Sequence, residues 1–542
     1  MGQKNPSSSS DSEIFMRIYR GNGNDTFESE HINVPSAKGR HPMVLDLTGD
    51  MKLDLLGYSN EGDSSKLSMW INTVDKDNMN TTSIYNVTSA SSILDENETT
   101  KCIWTHPHSN AVVDLDGDCL ADLVFVCQHT GYQSLQIWTN QRDEGFQKAR
   151  ELNLPAGAGP ISYADIDGDG SIDLIFPVKQ QIHVVYNQQM DLCSKNDNSD
   201  NPDCRKAGDL CRADPNFNFD MSSPDSKGYV IFDLEGYIDS KGSIQTQDPD
   251  FKGVWPIAVH PGDYNLDGYP DLLVTTNNKV FLLDNILCTY KLCSSGATDV
   301  SRRSFSVVQQ GAEALAKISN PRQAVFFDID EDGSLDMLVL SKTNTRSDAN
   351  RTPNFIINNF FNDAFFLKGL VSNGVCGNNC PTESGYAKPY GVNYPGATLK
   401  FTVLDTSGTK RAHQVSQLPQ TSYLSLHTPY CLIGLGRTNN YVEEMFAGVS
   451  RHQEQNYLFY EGVIPNSQLI FIPYQPNDVH DSSTWKVELY IQPGDYVPWV
   501  LVVLVVAAII LGVVVGVLYW MEKREDETER RKALHIINFD AL

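Results

Sequence analysis

Positive charge is scarce in this chain. Lys and Arg total 42 against 68 Asp and Glu, a formal net charge of −26. That excludes nucleic acid as the main partner, because phosphate binding needs clustered basic side chains. An acidic surface suits metal cations and a secreted or cell-surface setting, and it also keeps a protein soluble. Catalytic motifs are lacking too. No G-x-S-x-G, HExxH, P-loop or full GxGxxG occurs, and the 12 histidines are scattered. The first residues, MGQKNPSSSSDSEIF, have no apolar stretch of the secretory-signal kind. What the chain does have is length and apolar content. Its 542 residues are 40% hydrophobic, enough for about two to four domains and too much for a wholly disordered chain.

One stretch carries no charge. Val497 to Trp520 reads VPWVLVVLVVAAIILGVVVGVLYW, and about 20 apolar residues cross a bilayer as a helix. Trp499, Tyr519 and Trp520 lie near its ends, where aromatic rings prefer the interface. Lys523, Arg524, Arg530, Arg531 and Lys532 follow it, whereas only Lys486 lies close before it. The positive-inside rule therefore puts the C-terminus in the cytosol. All 11 cysteines precede the span. The pairs Cys288 with Cys293 and Cys376 with Cys380 read as small-loop disulfides. Zinc is disfavoured, because no further pairs or histidines sit at zinc-finger spacing. The odd count leaves a thiol over. Cys119 and Cys431 are the candidates, since both lie in or beside apolar runs where a thiol packs as a small hydrophobe. Asn24, Asn80, Asn86, Asn97 and Asn350 each head an N-x-S/T triplet before the span. Either the span is a tail anchor with everything cytosolic, or the natural start lies upstream of Met1. The sequons and cysteines favour the second, with an extracellular N-terminal side.

The acid is not spread evenly. One pattern recurs five times: DLTGDMKLD from Asp46, DLDGDCLAD from Asp114, DIDGDGSID from Asp165, DYNLDGYPD from Asp263 and DIDEDGSLD from Asp328. Positions 1, 3, 5 and 9 carry oxygen-bearing side chains. They are Asp46, Thr48, Asp50 and Asp54; Asp114, Asp116, Asp118 and Asp122; Asp165, Asp167, Asp169 and Asp173; Asp263, Asn265, Asp267 and Asp271; Asp328, Asp330, Asp332 and Asp336. Ca²⁺ takes six to eight oxygens from a flexible loop, and alternate acidic side chains around a tight turn converge on one point. Gly170, Gly268 and Gly333 at position 6 allow a backbone turn with positive φ. An EF-hand opens alike but needs Glu at position 12 and flanking helices. Position 12 here is Gly57, Phe125, Phe176, Val274 or Val339, each in a β-like run. The loops therefore join strands. The competing reading is that the aspartates only cap turns. It weighs most on the first loop, with Thr48 at position 3 and Met51 at position 6, and on the second, with Cys119 at position 6. Each unit reads as short strands plus one acidic loop, the pattern of a β-propeller. The widest gap, between Asp173 and Asp263, holds a polar insertion at about 187–227.

These motifs resemble the FG-GAP repeats of integrin α-subunits. GVNYPGATLKF from Gly391, CLIGLGRTNNY from Cys431, PNSQLIFIPY from Pro465 and the ending HIINFDAL are similar to the T-cell immunomodulatory protein family, over essentially the whole chain after about residue 20. The resemblance implies a seven-bladed propeller with calcium in its loops. It also implies a type I plasma-membrane glycoprotein with a signal peptide and further N-terminal repeats, acting in adhesion and in modulating T-cell function. Five to six blades of the seven are expected here. The segment after the span lacks the GFFKR motif of integrin α-chains and there is no room for leg domains, so an integrin-like β-subunit is not implied.

The expected layout is all-β apart from the span. Residues 1–20 form a disordered start, 21–365 the propeller repeats, 366–496 a membrane-proximal β-sandwich-like domain, 497–520 the membrane helix and 521–542 a cytoplasmic tail. TLKFTVLD, QLIFIPY and WKVELYIQ supply the alternation of the second domain. The terminal Ile536, Ile537, Phe539 and Leu542 suit a docking peptide for a cytosolic protein, against a tail with no function. Three functional readings follow: recognition of an extracellular protein partner, a structural or trafficking role in which calcium only stiffens the blades, and, remotely, an enzyme.

Overall fold

The computed structural model describes residues 2–3, 13–21, 26–61, 63–73, 84–193, 204–238, 242–251, 255–342, 351–360, 363–373, 392–404, 408–421, 423–437, 441–449, 456–473, 485–491 and 496–536. Six sheets follow one another along the chain. Sheet 1 has Gly2–Gln3, Glu13–Gly21 and Phe27–Lys38. Sheet 2 has Met43–Leu45, Asp54–Tyr58, Leu67–Asn72 and Tyr85–Ser89. Sheet 3 has Ile103–Trp104, Ala111–Val113, Asp122–Gln128, Gln133–Asn140 and Phe146–Leu154. Sheet 4 has Ser162–Ala164, Asp173–Val178, Gln181–Val185 and Tyr229–Asp233. Sheet 5 has His260–Gly262, Asp271–Thr275, Val280–Leu287 and Arg303–Val307. Sheet 6 has Pro321–Phe327, Asp336–Lys342 and Arg351–Ile356. Every described pairing in them is antiparallel. The stretch expected to be a disordered start contains the strand Glu13–Gly21, which buries Ile14 and Met16.

The apolar runs after each acidic loop explain the stacking. Successive side chains of a strand point to opposite faces. Leu123 and Phe125 join the core shared with sheet 2, while Val124 and Val126 join the core shared with sheet 4. Leu174 and Phe176 pack toward sheet 3, and Ile175 packs toward sheet 5. Leu272 and Val274 pack toward sheet 4, and Leu273 packs toward sheet 6. A strand buried on both faces must be apolar throughout. DLVFV, DLIFP and DLLVT are therefore continuous rather than alternating. Among the described residues no apolar cluster joins sheet 6 to sheet 1. The sheets stack in the propeller manner without closing into a ring.

Two further four-stranded sheets make the C-terminal β-domain. Sheet 7 runs in the order Cys431–Gly436, Phe365–Val371, Ser467–Ile472, Lys486–Tyr490. Sheet 8 runs in the order Lys410–Gln417, Ala397–Leu404, Val442–Gly448, Tyr457–Val463. In sheet 7 the pairing of Phe365–Val371 with Ser467–Ile472 is parallel. Leu367, Leu469 and Phe471 of one sheet meet Leu399, Phe401 and Met445 of the other in a single core, as in a sandwich. These eight sheets, with a two-stranded pairing of Asn187–Gln188 and Asn218–Phe219, belong to one compact unit, residues 1–490. The second unit, Ile491–Leu542, holds one helix, Tyr496–Ile536, which continues past the expected end of the span at residue 520. It is long and apolar enough to cross a membrane, and none of its apolar stretch is covered by protein.

Candidate functional site

Each acidic loop joins the first and second long strands of its sheet, in sheets 2 to 6. Position 1 follows directly on the strands ending at Leu45, Val113, Ala164, Gly262 and Phe327. Position 9 is the first residue of the next strand: Asp54, Asp122, Asp173, Asp271 and Asp336. Position 6 has positive φ in all five loops, at Met51 (66°), Cys119 (67°), Gly170 (85°), Gly268 (94°) and Gly333 (89°). Glycine meets that demand without strain, whereas Met51 and Cys119 hold it against their side chains. The turn folds the backbone amides inward. Asp114 accepts from the amides of Gly117 (2.7 Å) and Cys119 (2.9 Å), and Asp165 from those of Gly168 (2.8 Å) and Gly170 (3.0 Å).

The position-9 aspartates do a different job. One oxygen accepts from the amide at position 2 of the same loop: Leu47, Leu115, Ile166, Tyr264 or Ile329. The other accepts from the backbone amide of an asparagine near the end of the strand that follows the one position 9 opens: Asn72, Asn140, Asn187, Asn285 or Asn358. Three of those asparagines also reach back to the preceding loop. Asn187 donates to Leu115 O, Asn285 to Ile166 O (both 2.9 Å) and Asn358 to Tyr264 O (2.8 Å). The loops at Asp114, Asp165 and Asp263 are thus each fastened to the next sheet. The sequence reading missed this asparagine. It lies 18, 18, 14, 14 or 22 residues after position 9, so strand length masks its recurrence.

The positions that could face a cation differ between loops: 1, 3 and 9 in the second and third, and 1, 3 and 5 in the fifth. Carboxylates converge within one ion's reach in three loops: Asp114, Asp116 and Asp122; Asp165, Asp167 and Asp173; Asp328, Asp330 and Asp332. Among the described residues the loops at Asp46 and Asp263 bring no such trio together. Thr48 donates to Asp54 at 3.4 Å, and the Asn265 amide donates to Asp284 at 3.0 Å. Two oxygens test whether a cation fits. Asp167 Oδ1 and Asp328 Oδ1 are buried without a hydrogen-bond partner, although the other oxygen of each carboxylate is ion-paired, with Arg302 and Lys368; a buried polar atom left unsatisfied is costly. Burial first, then a neighbouring carboxylate, pushes Asp54, Asp116 and Asp169 up to about 7 and Asp263 up to about 8. Hard oxygen ligands under mutual repulsion are the donor set that Ca²⁺ takes. Asp165, Asp167, Asp169 and Asp173 would hold it in the third loop, and the ion would supply positive charge there. Arg302 already supplies some, pairing with Asp167 and standing 3.5 Å from Asp169.

The position-1 aspartates meet the C-terminal domain. Tyr394 donates its hydroxyl to Asp46 at 2.7 Å, and the Gln414 amide donates to Asp165 at 2.9 Å. Lys400 lies 3.0 Å from Asp114, and Lys368 lies 2.8 Å from Asp328. Gly434 packs so closely on Asp263 that a Cβ there would collide with its carboxylate.

The cysteines correct one expectation. Cys119 is not the free thiol: it is bonded to Cys211, which pins the 187–227 insertion to the second loop. An apolar neighbourhood buries a disulfide as readily as a thiol. Cys288 does pair with Cys293, and the sequence reading missed Cys102–Cys127 and Cys193–Cys204. Among the described cysteines Cys431 is the buried free thiol, pushed up to about 12 by burial. Cys376 and Cys380 lie outside the described residues, as do Asn24, Asn80 and Asn350. Asn86 and Asn97 are exposed.

Loop-bearing stacked sheets together with one apolar helix define the class, an FG-GAP propeller-type protein with a candidate membrane span. A family model described as FG-GAP-like repeat matches residues 114–176, and one described as ITFG1, C2 domain matches residues 389–490. The human T-cell immunomodulatory protein is 30% identical over 99% of this chain and 80% of its own length. The Plasmodium falciparum homolog is 31% identical over 90% and 68%, and protein linkin of Caenorhabditis elegans is 25% identical over 79% and 66%. The chain belongs to the T-cell immunomodulatory protein family. The family names and the FG-GAP and C2 domains point to a receptor-like, non-enzymatic protein. Its apolar helix and disulfides fit a single-pass membrane protein with an extracellular domain.

Proposed function

We propose that this chain is a type I plasma-membrane glycoprotein that recognises an extracellular protein partner in cell adhesion. Calcium in the acidic loops holds the stacked sheets in the shape that the partner meets. The carboxylate trios, with buried unpaired oxygens in two of them, carry this reading. The relatives' name gives modulation of T cells as the expected outcome of that recognition. The tail after the span is the proposed docking segment for a cytosolic protein. The test uses the full-length protein in nanodiscs and on cells. Isothermal titration should register calcium binding, and melting should shift up with calcium, since a ligand of the native state adds RT ln(1 + [L]/Kd). Cells carrying Asp167→Ala with Asp330→Ala should adhere less than wild type at equal surface level. Adhesion unchanged by deletion of the protein would leave calcium only a stiffening role.

A further inference from the structure

All five loops present their first aspartate to the C-terminal β-domain, and among the described residues two of these contacts are ionic. Lys400 lies in Ala397–Leu404 of sheet 8 and is 1% exposed. Its ammonium sits 3.0 Å from Asp114 Oδ2 and donates to Gly117 O at 2.8 Å. Lys368 lies in Phe365–Val371 of sheet 7 and is 6% exposed. Its ammonium sits 2.8 Å from Asp328 Oδ2 and 4.2 Å from the centre of the Tyr430 ring. Each sheet of the sandwich thus sends one lysine into one acidic loop.

A buried lysine is retained only where its charge is matched, and removing one partner leaves the other uncompensated. The reverse also holds. A buried carboxylate needs positive charge, and at Asp114 and Asp328 a side chain of the same molecule provides it. A carboxylate accepts up to four hydrogen bonds, so Asp114 serves the Gly117 and Cys119 amides and Lys400 together. We propose that Lys368 and Lys400 are resident counter-ions that lock the C-terminal β-domain onto the loops at Asp328 and Asp114 and keep it docked when metal is withdrawn. Asp165 accepts the backbone amide of Gln414 from that domain, a contact without a charged partner.

The inference rests on the calcium reading only for its comparison between calcium and chelator. Hydrogen exchange of the full-length protein in nanodiscs tests it at two strands, Ala397–Leu404 and Phe365–Val371. In wild type both strands should stay protected in chelator. Loss of protection there on chelation alone would overturn the inference, because the docking would then need metal. In chelator, Lys400→Met should speed exchange of Ala397–Leu404 at least tenfold. The double variant Asp114→Asn with Lys400→Met should recover most of that loss, since no buried charge is left alone. Lys368→Met with Asp328→Asn repeats the cycle at the other sheet. Exchange within twofold of wild type in the single variants, or effects that merely add, would sink the proposal. Calorimetry without calcium binding defeats the preceding reading, while the variant cycle still decides this one.

Discussion

Met51 and Cys119 occupy a backbone position that three sibling loops give to glycine, with φ of 66° and 67°. Their side chains are used. Met51 enters the core of the C-terminal domain, and Cys119 is tied to Cys211. The apparent weakness of these two loops in the sequence was therefore a packing decision. Peptide mapping without reduction should find Cys102–Cys127, Cys119–Cys211, Cys193–Cys204 and Cys288–Cys293. A native Cys119 that takes up an alkylating reagent would contradict the second of these. Of these four, Cys288–Cys293 was legible as a small-loop pair; the others were not, because spacing does not determine connectivity and Cys119 and Cys211 lie 92 residues apart. The carboxylates give a pH prediction. Burial and neighbouring charge raise Asp54, Asp116 and Asp169 to about 7 and Asp263 to about 8. Between their unfolded value, about 4, and these values the folded state holds more protons than the unfolded one. Metal-free protein should therefore lose stability as pH rises from about 5 to 8. Calcium competes with those protons, so the calcium-induced rise in Tm should be larger at pH 7.5 than at pH 5.5. An increment that shrinks as pH rises would show that these aspartates do not bind the ion.

At the scale of elements, the loops were legible and what they grip was not. Their signature is a fixed spacing of one residue type, and fixed spacing survives in a bare sequence. Lys400 gave no such signal. In TLKFTVLD it reads as the solvent-facing member of an alternating strand, but Thr398, Lys400 and Thr402 are all buried. Leu399, Phe401 and Val403 fill the sandwich core, while the opposite face of this strand sends Lys400 into the second acidic loop. The strand is polar on a buried face because its neighbours are carboxylates. Gly434 is explained in the same way. It lies in Cys431–Gly436, and its missing side chain admits Asp263 and the backbone of Leu266. Gly434→Ala should lower stability by about 1–3 kcal/mol, the usual cost of overpacking. The loss should appear in chemical denaturation and be accompanied by faster exchange in Cys431–Gly436. A neutral Gly434→Ala would mean that this loop and the domain are not in tight contact.

At the scale of the whole molecule, the order of the sheets follows from two-faced strands, and charge sets the expected orientation across a membrane. The helix Tyr496–Ile536 is one continuous element, so the basic residues after the apolar stretch lie on the same rod as the span. At 1.5 Å per residue its 41 residues extend about 60 Å, twice the hydrocarbon thickness of about 30 Å. In a bilayer the charged end would therefore project beyond the hydrocarbon. Arg524 stacks on Trp520 at 4.5 Å, an aromatic ring and a cation together where an interface is expected. The two described sequons belong to the other unit. Asn86 lies on Tyr85–Ser89 and Asn97 in the short helix Glu96–Thr99, both exposed. If the basic end faces the cytosol, these asparagines face the compartment where glycans are added. In sealed microsomes from cells making the full-length protein, added trypsin should remove only the segment after Lys523. Peptide-N-glycosidase should lower the mass of the protected fragment, and by less in Asn86→Gln with Asn97→Gln. Digestion of the β-unit with no glycan shift would reverse the topology and return the chain to a tail-anchored protein with its acidic loops in the cytosol. There, resting calcium is too scarce to fill sites of the weak extracellular class.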